Sequence, residues 1–275
     1  MNNFVIIILS IVLVSCASKK EEKITSKKTD LYYGHGTDHL LSKNYSKALE
    51  YLLKANELSP KNSKILNNLG MAYYFKGQTK TAIQVLKSAI SSNDKNSDAR
   101  NNLASIYFNL GEYELAKEQY HIIEKNLIYT HQYRTHYNLS LIYEKQNNYT
   151  EMVQRLEKSI NDRPEYCPAH IKLGKHYLKN EQLSKAVKSF KQGSQGTCYK
   201  YPNSTYLLAF TWEKMADTDK ASDKYLEVIS TFPNTEFSKL AKNRLENLIK
   251  KEPILDLKLK KNNTPRKDNK APVKF

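Results

Sequence analysis

Residues Ser63 to Asn96 read SKILNNLGMAYYFKGQTKTAIQVLKSAISSNDKN. Two amphipathic helical patterns meet at Gly77. Small or apolar residues fall at Leu69, Gly70, Tyr73, Ala82, Leu86 and Ala89, which are places 7, 8, 11, 20, 24 and 27 of a 34-residue unit. Gly and Ala at places 8 and 20 predict a close crossing of the two helices, because a small side chain lets the backbones approach. Tyr73 and Leu86 are expected to fill the space on either side.

The same spacing recurs in both directions. A unit from Thr29 carries Gly36, Ala48, Leu52 and Ala55. One from Ser97 carries Leu103, Ala104, Tyr107, Ala116 and Tyr120, and one from Tyr133 carries Leu139, Ser140, Tyr143, Met152 and Leu156. The Cys167 unit has Leu173, Gly174, Tyr177, Ala186 and Phe190. The Pro202 unit has Leu208, Ala209, Trp212, Ala221 and Tyr225. Unit starts at 29, 63, 97, 133, 167 and 202 give steps of 34, 34, 36, 34 and 35. A fixed period of this length is the sign of a stacked helical array. The pattern resembles the tetratricopeptide repeat. That resemblance implies an all-α fold, a right-handed superhelix of six helix pairs over residues 29–250. Residues 235–250 (TEFSKLAKNRLENLIK) are expected to cap the exposed apolar face of the last repeat.

Lys and Arg number 44 against 28 Asp and Glu, a net charge of +16. Such a balance suits nucleic acid, an anionic surface or an acidic partner. No basic helix with interleaved aromatics, zinc finger or RNA-stacking pattern is present, so we expect no nucleic-acid partner and a lysine-rich solvated surface. Residues 1–15, MNNFVIIILSIVLVS, are apolar but short for a membrane span. They lead into Leu13-Val14-Ser15-Cys16, which resembles the lipobox of bacterial lipoproteins. That resemblance implies cleavage before Cys16 and acylation of it, with membrane contact through the lipid. An ordinary signal peptide with a chance cysteine is the alternative. Ala17, where an Asp favours inner-membrane retention in enterobacteria, leans the expectation towards an outer-membrane anchor facing the periplasm.

Residues 16–28 after the cleavage site, lysine-rich from Ala17 to Lys28, read as a flexible tether. Repeat 1 carries His35 and His39 at places expected in the core, so packing is favoured over metal ligation, and no metal site or cofactor is expected. Gly34-x-Gly36 lacks the preceding strand and third glycine of a nucleotide loop. Cys167 and Cys198 stand at places 1 and 32 of one repeat, at the same end of a helical hairpin. In an oxidising compartment they predict a disulfide, with two semi-buried thiols as the alternative. Residues 251–275 hold three prolines and a net charge of +5, and read as a basic disordered tail.

The junction between units three and four is two residues longer than the 34-residue period. The lipobox, the six repeats, Tyr129 and the Tyr137-Asn138-Leu139-Ser140 helix start together resemble the type IV pilus biogenesis lipoproteins of the PilF/PilW/Tgl group. The similarity spans about residues 1–245, with Ser140 in place of the usual glycine. What it implies is a pilotin: a lipid-anchored monomer that binds the type IV pilus secretin and promotes its localisation and multimer assembly. The alternatives are a general periplasmic scaffold for envelope or cell-wall assembly and an accessory subunit of a cell-wall enzyme.

In the repeat fold, places 2, 5, 9, 12 and 13 of each first helix line a concave groove. Here that set includes Tyr33, Asn67, Met71, Tyr74, Asn101, Phe108, Tyr137 and Tyr206. Rings and amides suit a peptide segment. Asn67 and Asn101 replace the basic residues of a carboxylate clamp, which argues against a C-terminal carboxylate ligand. The alternative is that some of these rings pack between repeats. The sequence offers no Ser-His-Asp or Cys-His arrangement and no phosphate loop, so no catalytic residues are assigned and an enzyme is not expected.

Overall fold

The computed structural model describes residues 2–251, with side chains for residues 21–250. The Cys16 side chain, where lipidation is expected, and the basic tail beyond Lys251 lie outside what is described. The chain divides into two compact units, Met1–Ile142 and Tyr143–Phe275.

The described residues are all helical or in turns. In the first unit α1 (Asn2–Leu41) pairs with α2 (Tyr45–Leu58), α3 (Ser63–Phe75) with α4 (Thr79–Ser92), and α5 (Ser97–Asn109) with α6 (Tyr113–Glu124). Each pair also packs on the next, and α1, α3 and α5 lie side by side. α7 (Gln132–Lys145) carries the boundary between the units. The second unit contains α8 (Tyr149–Asp162), α9 (Cys167–Lys179), α10 (Leu183–Gln192), a 3-10 turn at Gly196–Cys198, α11 (Pro202–Lys214), α12 (Thr218–Thr231) and α13 (Glu236–Lys251). Helices α3, α5, α9 and α11 open at the residues that open repeat units two, three, five and six; α7 opens one residue before its unit.

Each turn within a pair is built the same way. Lys43, Gly77, Gly111, Asn147, Glu181 and Ala216, all at place 15, have positive φ between 57° and 81°. The amide that follows bonds back to the place-11 carbonyl, as from Gln78 to Tyr73 O (2.9 Å) and from Asp217 to Trp212 O (3.0 Å). A left-handed residue followed by such a bond closes orphan carbonyls of the first helix. The second helix then starts on a cap in several units: Asn44 accepts from Lys47 N, Asn148 from Glu151 N, and Asp217 from Lys220 N. Between pairs, Asn62 and Asn96 cap α3 and α5.

The core lies where the paired helices cross. Places 20 and 24 are sealed in every repeat: Ala48 and Leu52, Ala82 and Leu86, Ala116 and Tyr120, Met152 and Leu156, Ala186 and Phe190, Ala221 and Tyr225 are all at most 1% exposed. A Cβ on Gly36, Gly70 or Gly174 would stand 2.6–2.7 Å from a carbon of Leu52, Leu86 or Phe190. Glycine at place 8 is therefore required by the side chain at place 24. In unit four Ser140 takes that place fully buried, its hydroxyl donating to Tyr137 O at 2.5 Å. At the far end α13 packs on both α11 and α12 and buries Ala241, Leu245 and Leu248. Leu240, on the outer side of that helix, is exposed.

Two expectations are corrected. Glu21–Lys28, read as part of a flexible tether, continue α1 without a break. No Gly or Pro interrupts residues 17–33, and propagation from the packed Thr29–Leu41 turns is far cheaper than nucleation. His35, expected in the core, is exposed, and His39 is half-buried. Both rings lie against Tyr51, with centroids at 5.3 and 5.5 Å. Among the described residues no cluster of three or more His, Cys, Asp or Glu could hold a metal ion, and no helix is long and apolar enough to cross a membrane.

Candidate functional site

Seven of the eight residues expected to line a groove belong to the first helices of the first unit, on α1, α3, α5 and α7. Tyr33, Asn67, Met71, Tyr74, Asn101, Phe108 and Tyr137 are all half-buried. Tyr33, Asn67, Tyr74 and Asn101 take part in a ladder of side-chain amides that repeats with the sequence period. Asn68 Nδ2 donates to Tyr33 OH (3.4 Å) and Thr37 Oγ1 (2.9 Å). Asn102 Nδ2 donates to Asn67 Oδ1 (2.8 Å), and Asn138 Nδ2 donates to Asn101 Oδ1 (3.2 Å). Apart from the bond to Thr37, at place 9, each rung runs from place 6 of one repeat to place 5 of the one before. A further rung joins Asn109 Nδ2 to Tyr74 OH at 2.9 Å.

These rungs change the reading of the asparagines. Asn67 and Asn101 each spend one acceptor lone pair on the neighbouring repeat, so they align the helices as well as facing outward. Asn68, Asn102 and Asn138 are the structural partners that reading place 5 alone missed, although Asn recurs at place 6 in three successive units. Tyr33 also packs against the Ala48–Leu52 core. Phe108 lies 5.6 Å from Tyr113 and Tyr74 lies 5.6 Å from Phe75, centroid to centroid. None of the seven is a Lys, Arg, His, Asp or Glu. The face they form offers apolar rings, a thioether and amide groups, which is contact chemistry rather than proton or group transfer.

Tyr206 belongs to the second unit. Its ring packs between Tyr225 (5.8 Å) and Phe237 (5.6 Å), inside the seam that α13 covers. For this residue packing beneath the capping helix, not an open groove, describes the structure. Beside it Tyr225 OH donates to Glu213 Oε2 at 2.6 Å, and Arg244 donates to Glu213 Oε1 at 3.2 Å. Burial and the neighbouring Glu213 carboxylate push the Tyr225 phenol well above its ordinary pKa, so it stays a hydrogen-bond donor. That chain ties α11, α12 and α13 together.

The longer junction between α6 and α7 is an ordered loop. Tyr129 OH donates to Asp98 Oδ1 at 2.9 Å, Asn126 Nδ2 to Ser97 Oγ at 2.9 Å, and Gln132 Nε2 to Ile123 O at 2.9 Å. Burial raises the Tyr129 phenol above its usual range, and the acceptor Asp98 adds to this. The loop so pinned presents Leu127 and Ile128, 93% and 84% exposed. Next to it Glu124 stands between two imidazoles, 2.6 Å from His121 Nδ1 and 3.3 Å from His136 Nδ1.

In the second unit Cys167 and Cys198 form a disulfide, with Cα atoms 5.4 Å apart. The bridge fastens the 3-10 turn after α10 to the start of α9. His170, buried at 2% exposure, hydrogen-bonds Pro164 O through Nε2 at 2.7 Å and holds the preceding loop to the same corner.

Tetratricopeptide repeat family models match residues 51–84, 76–124 and 133–165. No curated protein sequence matches the chain. Among solved structures it is similar to PilF of Pseudomonas aeruginosa, at 19% identity and a TM-score of 0.67, covering 80% of this chain and 99% of that one. It is similar to PilW, a widely conserved type IV pilus biogenesis factor, at 16% identity and a TM-score of 0.64, covering 82% and 98%. It also resembles YrrB, a tetratricopeptide repeat protein with an unusual peptide-binding site, at 15% identity and a TM-score of 0.51, covering 71% and 100%. The chain thus has the tetratricopeptide repeat fold, the architecture of a protein-interaction scaffold.

Proposed function

We propose that this protein is a lipid-anchored outer-membrane scaffold that binds the type IV pilus secretin and promotes its localisation and multimer assembly. The observation that carries the reading is the extent of the likeness to PilF and PilW, which takes in 99% and 98% of those chains rather than a few shared repeats. The lipobox-like Leu13–Cys16 sequence supports it independently. In this reading the acylated Cys16 supplies the anchor, and several acyl chains hold far more firmly than one. The helix face of the first unit holds an extended secretin segment through Met71, Tyr74, Phe108 and the amides of Asn67 and Asn101. No bond is made or broken.

The test is the secretin multimer on gels of unheated envelopes from cells with and without the protein. Loss of the multimer on deletion, and its mislocalisation with Cys16→Ala, are expected. Replacing Tyr74 and Phe108 by Ala is expected to reduce multimers while leaving the anchored protein at its normal level. Unchanged multimers in the deletion strain overturn the reading. The general envelope scaffold would then take its place.

A further inference from the structure

The second unit contains a cavity of about 650 Å³ between α10, α12 and the disulfide-tied turn. Trp212, Leu208 and Val187 supply its apolar lining, and Lys191, Lys220 and Lys224 supply its charge. Gly196 and Tyr199, from the turn held by Cys198, form another wall. The size is that of a site for a small ligand or a short side-chain cluster.

The charges are not equivalent. Lys224 is paired with Glu227 at 2.5 Å, and Glu227 is the one acidic residue among the lining residues. Lys220 pairs with Asp217 at 2.6 Å, and its ammonium lies 4.4 Å from the Trp212 ring centroid. Lys191 forms no ion pair among the described residues and is exposed. With Lys220 and Lys224 each paired to a carboxylate, the unpaired charge at the cavity is the Lys191 ammonium, beside the apolar Trp212, Leu208 and Val187. We propose that this cavity is a docking site for an acidic partner segment in which a Glu or Asp neighbours a large aliphatic residue. The aliphatic side chain packs on Trp212 and Leu208, and the carboxylate pairs with Lys191. The wall formed by Gly196 and Tyr199 makes the site depend on the Cys167–Cys198 bridge. This inference does not rest on the pilus reading, and the secretin assay can fail while the cavity binds.

Trp212 is the single tryptophan of the chain, so its emission reports the site directly. The full-length protein is titrated with acetyl-Leu-Glu-Leu-Glu-amide. A saturable change in Trp212 emission is expected, weakened at least fivefold by Lys191→Ala, by the Gln analogue of the peptide, and by reduction of the disulfide. Three results overturn the proposal. One is no saturable change. Another is a change equal for the Glu and Gln peptides and unaltered by Lys191→Ala. The third is a response to phosphatidylglycerol vesicles in place of the peptide, which would assign the cavity to a lipid surface.

Discussion

Place 15 is the residue-scale key to this fold. All six within-pair turns need a left-handed residue there, yet only Gly77 and Gly111 have the side chain that adopts it freely. Lys43, Glu181 and Ala216 adopt it against a penalty of about 1–2 kcal/mol for an ordinary residue, while Asn147 is of a type that tolerates it. The helix pair imposes the angle, because the buried crossing fixes where the second helix must start. Ala216→Gly is therefore expected to stabilise the protein by about 0.5–1 kcal/mol, and Gly77→Ala to destabilise it by about 1 kcal/mol. Urea unfolding midpoints measure both. Equal midpoints for Ala216→Gly and the parent chain would mean that the turn is strained elsewhere. Two of these six turns were legible as glycines. Lys43, Glu181 and Ala216 were not, since local propensity pointed the other way and tertiary packing decided.

Among the elements, the clearest device is the corner where α9 begins and the turn after α10 ends. The disulfide closes a loop with a sequence separation of 31 residues. In the chain-entropy model such a closure contributes on the order of 3–4 kcal/mol by restricting the unfolded chain. Cys167→Ser with Cys198→Ser is expected to destabilise the second unit by that amount, read from its urea transition. A cost below about 1 kcal/mol would instead place the holding force in His170 and the α13 seam. The pairing was readable from places 1 and 32 of one repeat, because a helical hairpin returns to its starting end. The role of His170 was not readable: a lone histidine in a helix gives no sign that a loop carbonyl will arrive at its Nε2.

On the scale of the whole molecule, a stacked helical array spreads its stability along neighbouring repeats within each unit. A core defect should then be felt locally. A methyl at Gly70 meets Leu86 Cγ at 2.7 Å and Ala82 O at 3.3 Å, whereas one at Gly34 meets nothing within 4 Å. Gly70→Ala is expected to cost about 1–3 kcal/mol and to speed hydrogen exchange in α3, α4 and their neighbours, leaving α11–α13 protected. Gly34→Ala is expected to be neutral or stabilising by up to about 1 kcal/mol. Uniformly faster exchange in both units would contradict the local picture.

By itself the sequence determined the period, the helix pairs, the small residues at the crossings and the cysteine pair. Each of these is carried by residues at fixed spacing, and spacing along a helix sets which face a side chain occupies. Only the tertiary structure decided which side chains of a face remain open. Tyr33 and Tyr206 occupy the same place in their repeats. One takes a rung of the amide ladder from Asn68, and the other is covered by Phe237 of the capping helix. The two differ because exposure is set by whatever packs alongside, and a residue's place within its own repeat does not encode its neighbour's side chains.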